Sequence, residues 1–161
     1  MKHQEHDVLI RGSKRKVLAA SSTGGHWVEL LRLQPSWQEH NAAYLTCDPA
    51  LQKQVSPSPF FVVTDANMKS KIALIKLCIQ VFRVIYAYRP DVVISTGAAP
   101  GFFAVFWGKI FGAKTVWIDS VANIDQLSLS GRKAKFFSDV WLSQWPDLAG
   151  DEGPQFRGRV F

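Results

Sequence analysis

Apolar runs typical of strands alternate with helical segments along most of the chain, and this alternation constrains the fold more than any other feature. The predicted strands cover residues 16–21, 42–46, 60–64, 91–95, 114–118 and 140–144, with a last short strand at 158–161. Helices are predicted between them at 27–34, 66–88 and 102–111. The strands are continuously apolar, which is typical of a parallel sheet covered on both faces. The sequence therefore predicts a Rossmann-like α/β fold.

Length and composition indicate one folded domain. The chain has 161 residues, of which 47% are hydrophobic and 20% charged, as in globular rather than disordered proteins. Residues 1–15 are polar and basic and are expected to be flexible, so the domain is predicted at 16–161. We expect no signal peptide or anchor at the N-terminus, and the uncharged run at 92–108 is interrupted by Gly and Pro.

The two cysteines, Cys47 and Cys78, lie far apart in apolar runs and form no CxxC pair. Neither a zinc site nor a disulfide framework is therefore expected. Buried free thiols in a reducing compartment are the simplest interpretation, and the sequence predicts no metal and no bound cofactor.

The net charge of +6 predicts an anionic partner. Nucleic acid is not the expected partner, because the basic residues are scattered and no motif that reads DNA or RNA is present. A phosphorylated ligand or an anionic membrane surface fits the charge better. Arg132, Lys133 and Lys135 form a tight basic cluster, for which a solvated face is the simplest explanation.

A glycine pair follows the first predicted strand, in the run Thr23-Gly24-Gly25-His26. Glycines let the backbone approach a ligand closely, and the N-terminus of the next helix offers free N–H groups to an anion such as phosphate. The spacing is not that of a dinucleotide motif. His26 has two interpretations, as a ligand-binding or acid–base residue and as a turn residue that caps the helix.

A second glycine-containing loop is predicted between the strand at 91–95 and the next helix. It includes Ser95, Thr96, Gly97, Pro100 and Gly101. The carboxyl ends of parallel strands meet at one edge of the sheet, so the two loops are predicted to border a shared ligand crevice. The alternative is a simple tight turn in which Pro100 opens the helix.

The pair Asp119-Ser120 follows the strand at 114–118 and is predicted to lie at the same edge. A carboxylate there could serve as the general base for a sugar hydroxyl. The alternative is that Asp119 caps the following turn.

The long predicted helix carries a narrow basic stripe of Lys69, Lys76 and Arg83 within a broad apolar surface. Most of that surface is expected to pack in the core, whereas its edges suit contact with a membrane, where long basic side chains reach lipid phosphates. Phe102 and Phe103 lie near the crevice and are also candidates for lipid contact.

Three segments resemble the asparagine-linked-glycosylation protein fourteen family, and in particular its bacterial capsule and exopolysaccharide counterparts. They read SSTGGHWVELL, RPDVVISTGAAPGFFAVFWGKIFGAKTVWIDS, and DVWLSQWPDL followed by GPQFRGRVF. The pattern is more distantly similar to the N-terminal half of MurG. The resemblance covers residues 16–161.

This resemblance implies the N-terminal half of a GT-B glycosyltransferase, the half that binds the acceptor. The acceptor would be a sugar linked through diphosphate to a polyprenol at the cytoplasmic face of the membrane. A separate subunit, resembling the C-terminal half of a GT-B enzyme, would bind the UDP-sugar. The resemblance also implies peripheral attachment to an anionic membrane. The N-terminal anchor of eukaryotic members is not expected here, so attachment would rest on the amphipathic surface and basic charge alone, or on the partner.

Residue by residue, the family's glycine-rich loop matches Gly24, Gly25 and His26, which would hold the acceptor diphosphate. Its second loop matches the Ser95–Gly101 segment described above. Its acidic-Ser pair matches Asp119-Ser120, where the family usually has Glu.

Two other functions fit the same sequence. One is a non-catalytic scaffold that recruits a glycosyltransferase partner to the membrane. The other is a stand-alone nucleotide-binding domain.

Overall fold

A computed structural model describes residues 13–160, which form a seven-stranded sheet. The strands are β1 (Lys16–Ser21), β2 (Asn41–Thr46), β3 (Phe60–Val62), β4 (Val92–Gly97), β5 (Lys114–Ile118), β6 (Val140–Ser143) and β7 (Gln155–Phe156). Their order is β3-β2-β1-β4-β5-β6-β7, and every neighbouring pair is parallel. The Rossmann-like α/β prediction is thus confirmed. Most of the N-terminal stretch predicted to be flexible lies outside the described residues.

In the described part of the chain, four α-helices connect the strands: α1 (Gly25–Arg32), α2 (Lys71–Tyr88), α3 (Ala98–Ile110) and α4 (Leu129–Ala134). Short 3-10 helices cover Gln34–Trp37, Pro49–Gln54 and Pro146–Leu148. The Ser70 hydroxyl caps α2 by accepting a hydrogen bond from Ala73 N, whereas glycines precede α1 and α3 and no side chain caps either helix. The N–H groups at the start of α1 and α3 therefore lack a side-chain acceptor.

Three predicted boundaries are wrong. The long helix begins at Lys71 rather than at residue 66, because Ser70 caps it there. The second glycine segment is not a separate loop: β4 continues through Gly97 and α3 begins at Ala98, so Pro100 lies in the first helical turn. The last strand is Gln155–Phe156, because β6 pairs with those residues rather than with 158–161.

The hydrophobic core lies on both faces of the sheet. On one face, Leu77, Val81 and Ile85 of α2 pack with α3 against the central strands. On the other face, Trp27 and Leu30 of α1 contact Trp37 and Tyr44. Each such side chain stabilises the fold by about 1.5–3 kcal/mol through burial.

The strand order reverses direction between β1 and β4, which lie at the centre of the sheet. The segments after these two strands, each leading into a helix, therefore face each other across the carboxyl edge. Ligands of open α/β sheets bind at such a switch point. Within residues 13–160, no helix is both long and apolar enough to cross a membrane.

Candidate functional site

A cavity of about 600 Å³ opens at the carboxyl edge of the sheet, next to the switch point. Its wall is predominantly apolar and includes Met68, Leu74, Phe102, Phe103 and Leu129. Its polar groups are His26, Asn67, Ser120, Asn123, Ser128, Ser130 and Lys133. An apolar wall with a few polar groups is typical of a ligand site, and the single ammonium in this lining suits an amphipathic anion.

His26 connects the two glycine segments across the switch point. Its Nδ1 lies 2.9 Å from Thr96 O, and Thr96 Oγ1 donates to His26 O at 2.6 Å. Since a carbonyl oxygen only accepts, Nδ1 carries a proton, and the neutral tautomer that fits this contact has Nε2 as its acceptor. The ring borders the cavity, so His26 can accept a proton from a ligand there.

Gly97 makes room for this imidazole. Its φ of +137° favours glycine, and a Cβ there would lie 2.6 Å from both Nδ1 and Cε1 of His26. The sequence placed Gly97 in a ligand-binding loop, whereas the structure gives it the additional task of seating the histidine.

The loop before α1 is open to solvent. Thr23, Gly24 and Gly25 are exposed, and Gly24 adopts a φ of +69°. Ala98 and Ala99, at the start of α3, border the cavity. Two helix N-termini thus lie at the same edge, and their partial positive charges favour an anion there.

The other residues predicted in the second loop face the interior. Ser95 is fully buried, and its Oγ accepts a hydrogen bond from Gly97 N at 3.1 Å. Thr96 and Pro100 are also buried, and a Cβ on Gly101 would overlap Ser95 Oγ. These side chains hold α3 against the sheet rather than lining the cavity.

Asp119 is only 1% exposed and does not line the cavity. Its carboxylate accepts hydrogen bonds from Trp117 Nε1, Asn123 Nδ2, Ser128 N and Ser128 Oγ, at 2.6–3.2 Å. Four donors occupy its two oxygens. This geometry favours the interpretation of Asp119 as the cap of the following loop, whereas Ser120 beside it does line the cavity.

Sequence reasoning missed two residues of this region. Lys133 lines the cavity, although neighbouring Arg132 and Lys135 do not, and a basic cluster alone gave no means of choosing among them. Glu29 lies on α1 and is buried beneath Ser120. A carboxylate in a short helix carries no sequence signal of burial, because such residues are usually exposed. Across the described chain, no three His, Cys, Asp or Glu side chains cluster as metal ligands.

The residues predicted to contact a membrane separate into two groups. Lys76 and Arg83 are exposed on α2 beside exposed Ile75, while Lys69 is exposed just before the helix. Phe102 and Phe103 are half-buried in the cavity wall.

Comparison with curated sequences identifies relatives from fungi. The "UDP-N-acetylglucosamine transferase subunit ALG14" of Eremothecium gossypii is 25% identical over 171 residues, covering 86% of this chain and 76% of the relative. The protein of the same name from Schizosaccharomyces pombe is 40% identical over 67 residues, covering 37% of this chain and 31% of the relative.

Solved structures with the same fold include MurG of Acinetobacter baumannii, with a TM-score of 0.72 and 12% identity. UDP-N-acetylglucosamine 2-epimerase of Rickettsia bellii gives a TM-score of 0.68 and 13% identity. Each match covers 92% of this chain but 46% of the other, so this chain spans less than half the length of these enzymes. The model of a family described as "Oligosaccharide biosynthesis protein Alg14 like" matches residues 61–160, more than half of the sequence. On that match, the chain belongs to the Alg14 family.

Proposed function

We propose that this chain is the acceptor-binding, membrane-associating subunit of a two-chain glycosyltransferase in oligosaccharide or polysaccharide biosynthesis. The acceptor is a sugar carried on polyprenyl diphosphate, and the donor is a UDP-sugar. The cavity carries the proposal, because one site combines an apolar wall, an ammonium and a histidine whose Nε2 has no hydrogen-bond partner among residues 13–160. The names of the fungal relatives support UDP-N-acetylglucosamine as the donor to test first.

The UDP-sugar binds to a separate subunit that corresponds to the C-terminal half of a GT-B enzyme. The names of the fungal relatives, which describe them as subunits, support this division. Docking of that partner across the carboxyl edge would close the cavity from above.

The acceptor is held in three parts. Its diphosphate lies near the N-termini of α1 and α3, with Lys133 as the cationic partner. The first isoprene units contact Phe102 and Phe103 in the cavity wall. The sugar then lies near His26.

In the reaction, a hydroxyl of the acceptor sugar attacks the anomeric carbon of the UDP-sugar. The new glycosidic bond forms as the bond to UDP breaks. His26 Nε2 accepts the proton of the attacking hydroxyl, while Thr96 O holds the ring through Nδ1. Groups of the partner subunit stabilise the departing UDP.

Membrane association occurs through the exposed face of α2, at the cytoplasmic surface. Ile72 and Ile75 are 83% and 61% exposed. Together with Ile79, they border a shallow groove that also includes Lys76 and Arg83. Exposed apolar residues flanked by cations suit insertion between anionic lipid headgroups.

The test is co-expression with a chain that resembles a GT-B C-terminal half, followed by a transfer assay. The assay measures radiolabelled N-acetylglucosamine transferred from the UDP-sugar to a prenyl-diphosphate sugar. Lys133→Met is expected to raise KM for the acceptor at least tenfold, whereas Arg132→Met, one residue away outside the cavity, should leave it unchanged. The proposal fails if no complex forms and no UDP-sugar supports transfer.

The exposed face of α2 also favours the second candidate function, a non-catalytic scaffold for the partner. A scaffold would tolerate changes at His26 and Lys133 without loss of transfer. If the chain is a scaffold, replacing Ile72 or Ile75 with a charged residue would remove the complex from the membrane. The two functions therefore differ in how cavity variants affect the rate.

A further inference from the structure

Glu29 is a buried carboxylate that the proposed reaction leaves without a role. It lies on α1 one turn after His26 and is 1% exposed. It accepts hydrogen bonds from Ser120 Oγ at 2.8 Å, Val121 N at 3.1 Å and Gln144 Nε2 at 3.3 Å. All three donors are uncharged, and within residues 13–160 no cation pairs with it. Burying a carboxylate in this way is costly compared with an apolar side chain of similar size.

This contact determines what the Ser120 hydroxyl can offer to the cavity. A hydroxyl has one proton and two acceptor lone pairs. Because Ser120 Oγ donates to Glu29 Oε1, the Ser120 proton lies on that bond. Ala122 N donates to Ser120 Oγ at 3.3 Å and occupies one lone pair. Ser120 borders the cavity, and its remaining hydrogen-bonding capacity is one acceptor lone pair.

We propose that Glu29 is a positioning residue that makes Ser120 an acceptor, so that Ser120 receives a hydrogen bond from a hydroxyl of the acceptor sugar. A phosphate oxygen cannot take this place, because it also only accepts. The inference rests on the proposed function and deepens it by assigning Ser120 to the sugar rather than to the diphosphate.

Gln144 fixes which groups donate and which accept hydrogen bonds around Glu29. Its Nε2 donates to both Glu29 Oε2 and Asp119 O, at 3.3 and 3.1 Å, and its Oε1 accepts from Val160 N at 3.0 Å. Because both ends of this amide are engaged, it cannot rotate without breaking a bond. An amide at position 29 would therefore place an NH₂ group against either Gln144 Nε2 or Ser120 Oγ. The first placement sets two NH₂ groups against each other, and the second makes Ser120 Oγ an acceptor from residue 29 and frees the Ser120 proton.

The experiment measures how much affinity the sugar adds. The probes are farnesyl diphosphate and its glucosyl and N-acetylglucosaminyl derivatives, titrated calorimetrically into the full chain. The readout is the ratio of affinities with and without the sugar. Because both affinities are measured on the same variant, a general loss of folded protein affects them equally and leaves the ratio unchanged. Glu29→Gln is expected to lower the ratio about tenfold, as for the loss of one buried hydrogen bond, and to leave farnesyl diphosphate binding unchanged.

A double-mutant cycle separates positioning from a purely structural role. If Glu29 acts through Ser120, Ser120→Ala lowers the ratio as Glu29→Gln does, and the double variant loses nothing further. Glu29→Asp keeps the charge but withdraws the oxygens by one methylene, and it serves as the second variant should Glu29→Gln not fold. Asp139→Asn, an acid-to-amide change at the other edge of the sheet, is the matched control and should leave the ratio unchanged.

The outcomes are distinct. A wild-type chain that binds none of the probes contradicts the proposed function. A wild-type chain that binds farnesyl diphosphate but gains nothing from either sugar overturns the inference alone. Equal weakening of all probes by the Glu29 variants, or an unchanged ratio, overturns it as well.

Discussion

His26 is the residue at which the glycine motif and the fold act together. The motif places it at the start of α1, and the neighbouring strand supplies Thr96 O, which fixes its tautomer. The second glycine segment thus orients the histidine of the first one. In the proposed reaction, a base oriented in this way needs no rearrangement when the substrate arrives.

Replacing His26 with Gln tests its role as the base. The amide can still donate to Thr96 O, but the basic Nε2 is lost. We expect the turnover of the two-chain complex to fall about 10²–10⁴-fold, as for the loss of a general base, with little change in KM for the acceptor. His40→Gln, an exposed histidine outside the cavity, is the control. A rate within twofold of wild type for His26→Gln would remove it from the mechanism.

Gly97→Ala tests whether the imidazole needs the space above the glycine. The added Cβ would collide with His26, and φ would remain unfavourable. Gly112→Ala is the matched control, because Gly112 has a φ of +83° but open space around its Cβ position. The control should lose about 1–3 kcal/mol of unfolding free energy through backbone strain alone. Gly97→Ala should lose more and also lose turnover; equal stability with normal activity would contradict this account.

At the scale of elements, α2 divides its broad apolar surface between two environments. Leu77, Val81 and Ile85 pack against the sheet, whereas Ile72 and Ile75 face outward. The wide apolar arc predicted from the sequence is therefore two stripes, one buried against the sheet and one exposed.

Charging the outer stripe should detach the chain from membranes without unfolding it. Ile75→Glu is expected to reduce co-sedimentation with vesicles containing anionic lipid at least fivefold, with little change in Tm, since the side chain is exposed. Ile110→Glu, at an exposed position at the end of α3, should bind vesicles as the wild type does. Equal binding by both variants would exclude α2 as the contact surface.

Asp139 joins three elements at the opposite edge of the sheet. Lys109 Nζ of α3 donates to it, as do Thr115 N and Oγ1 of β5. The hydrogen bond from Lys109 is the main cause that lowers the pKa of Asp139 to about 2. A lowered pKa means that folding favours the ionised carboxylate. Its stabilising effect is therefore present above the ordinary Asp value, about 3.9, and is lost as the pH falls toward 2.

Thermal unfolding across pH tests this connection. Asp139→Asn should lower Tm at pH 7, and the difference from wild type should disappear between about pH 4 and pH 2. Asp147→Asn, at an exposed position, should follow the wild-type curve throughout. A difference that persists unchanged at pH 2 would mean that the carboxylate charge is not what stabilises the fold.

At the scale of the molecule, the chain is one Rossmann-like lobe whose ligand cavity opens at the carboxyl edge. Its match with two enzymes that share the fold covers 46% of each of them. The proposed division of labour assigns acceptor binding to this lobe and donor binding to the partner, in line with the naming of the relatives as subunits.

Calorimetry on the isolated chain tests this division. We expect farnesyl diphosphate to bind, because the cavity, Lys133 and both helix N-termini belong to this chain. UDP-N-acetylglucosamine should bind only after the partner is added. Tight binding of UDP or the UDP-sugar by the isolated chain would favour the stand-alone nucleotide-binding domain instead.

Much of the architecture was predictable from local patterns. Continuous apolar runs gave six strands to within a few residues, and the family resemblance is confirmed by the match over residues 61–160. The boundaries that were wrong depend on single contacts, such as the Ser70 cap and the pairing of β6 with Gln155–Phe156. Such contacts carry little local signal.

The sequence by itself determined the parallel sheet and the meeting of two glycine segments at one edge, because apolar periodicity and the direction of parallel strands are local properties. Only the tertiary structure decided which polar side chains reach the cavity. His26, Ser120 and Lys133 line it, whereas Asp119 is turned inward. Burial depends on contacts between distant segments, such as the hydrogen bond between Ser120 and Glu29, 91 positions apart.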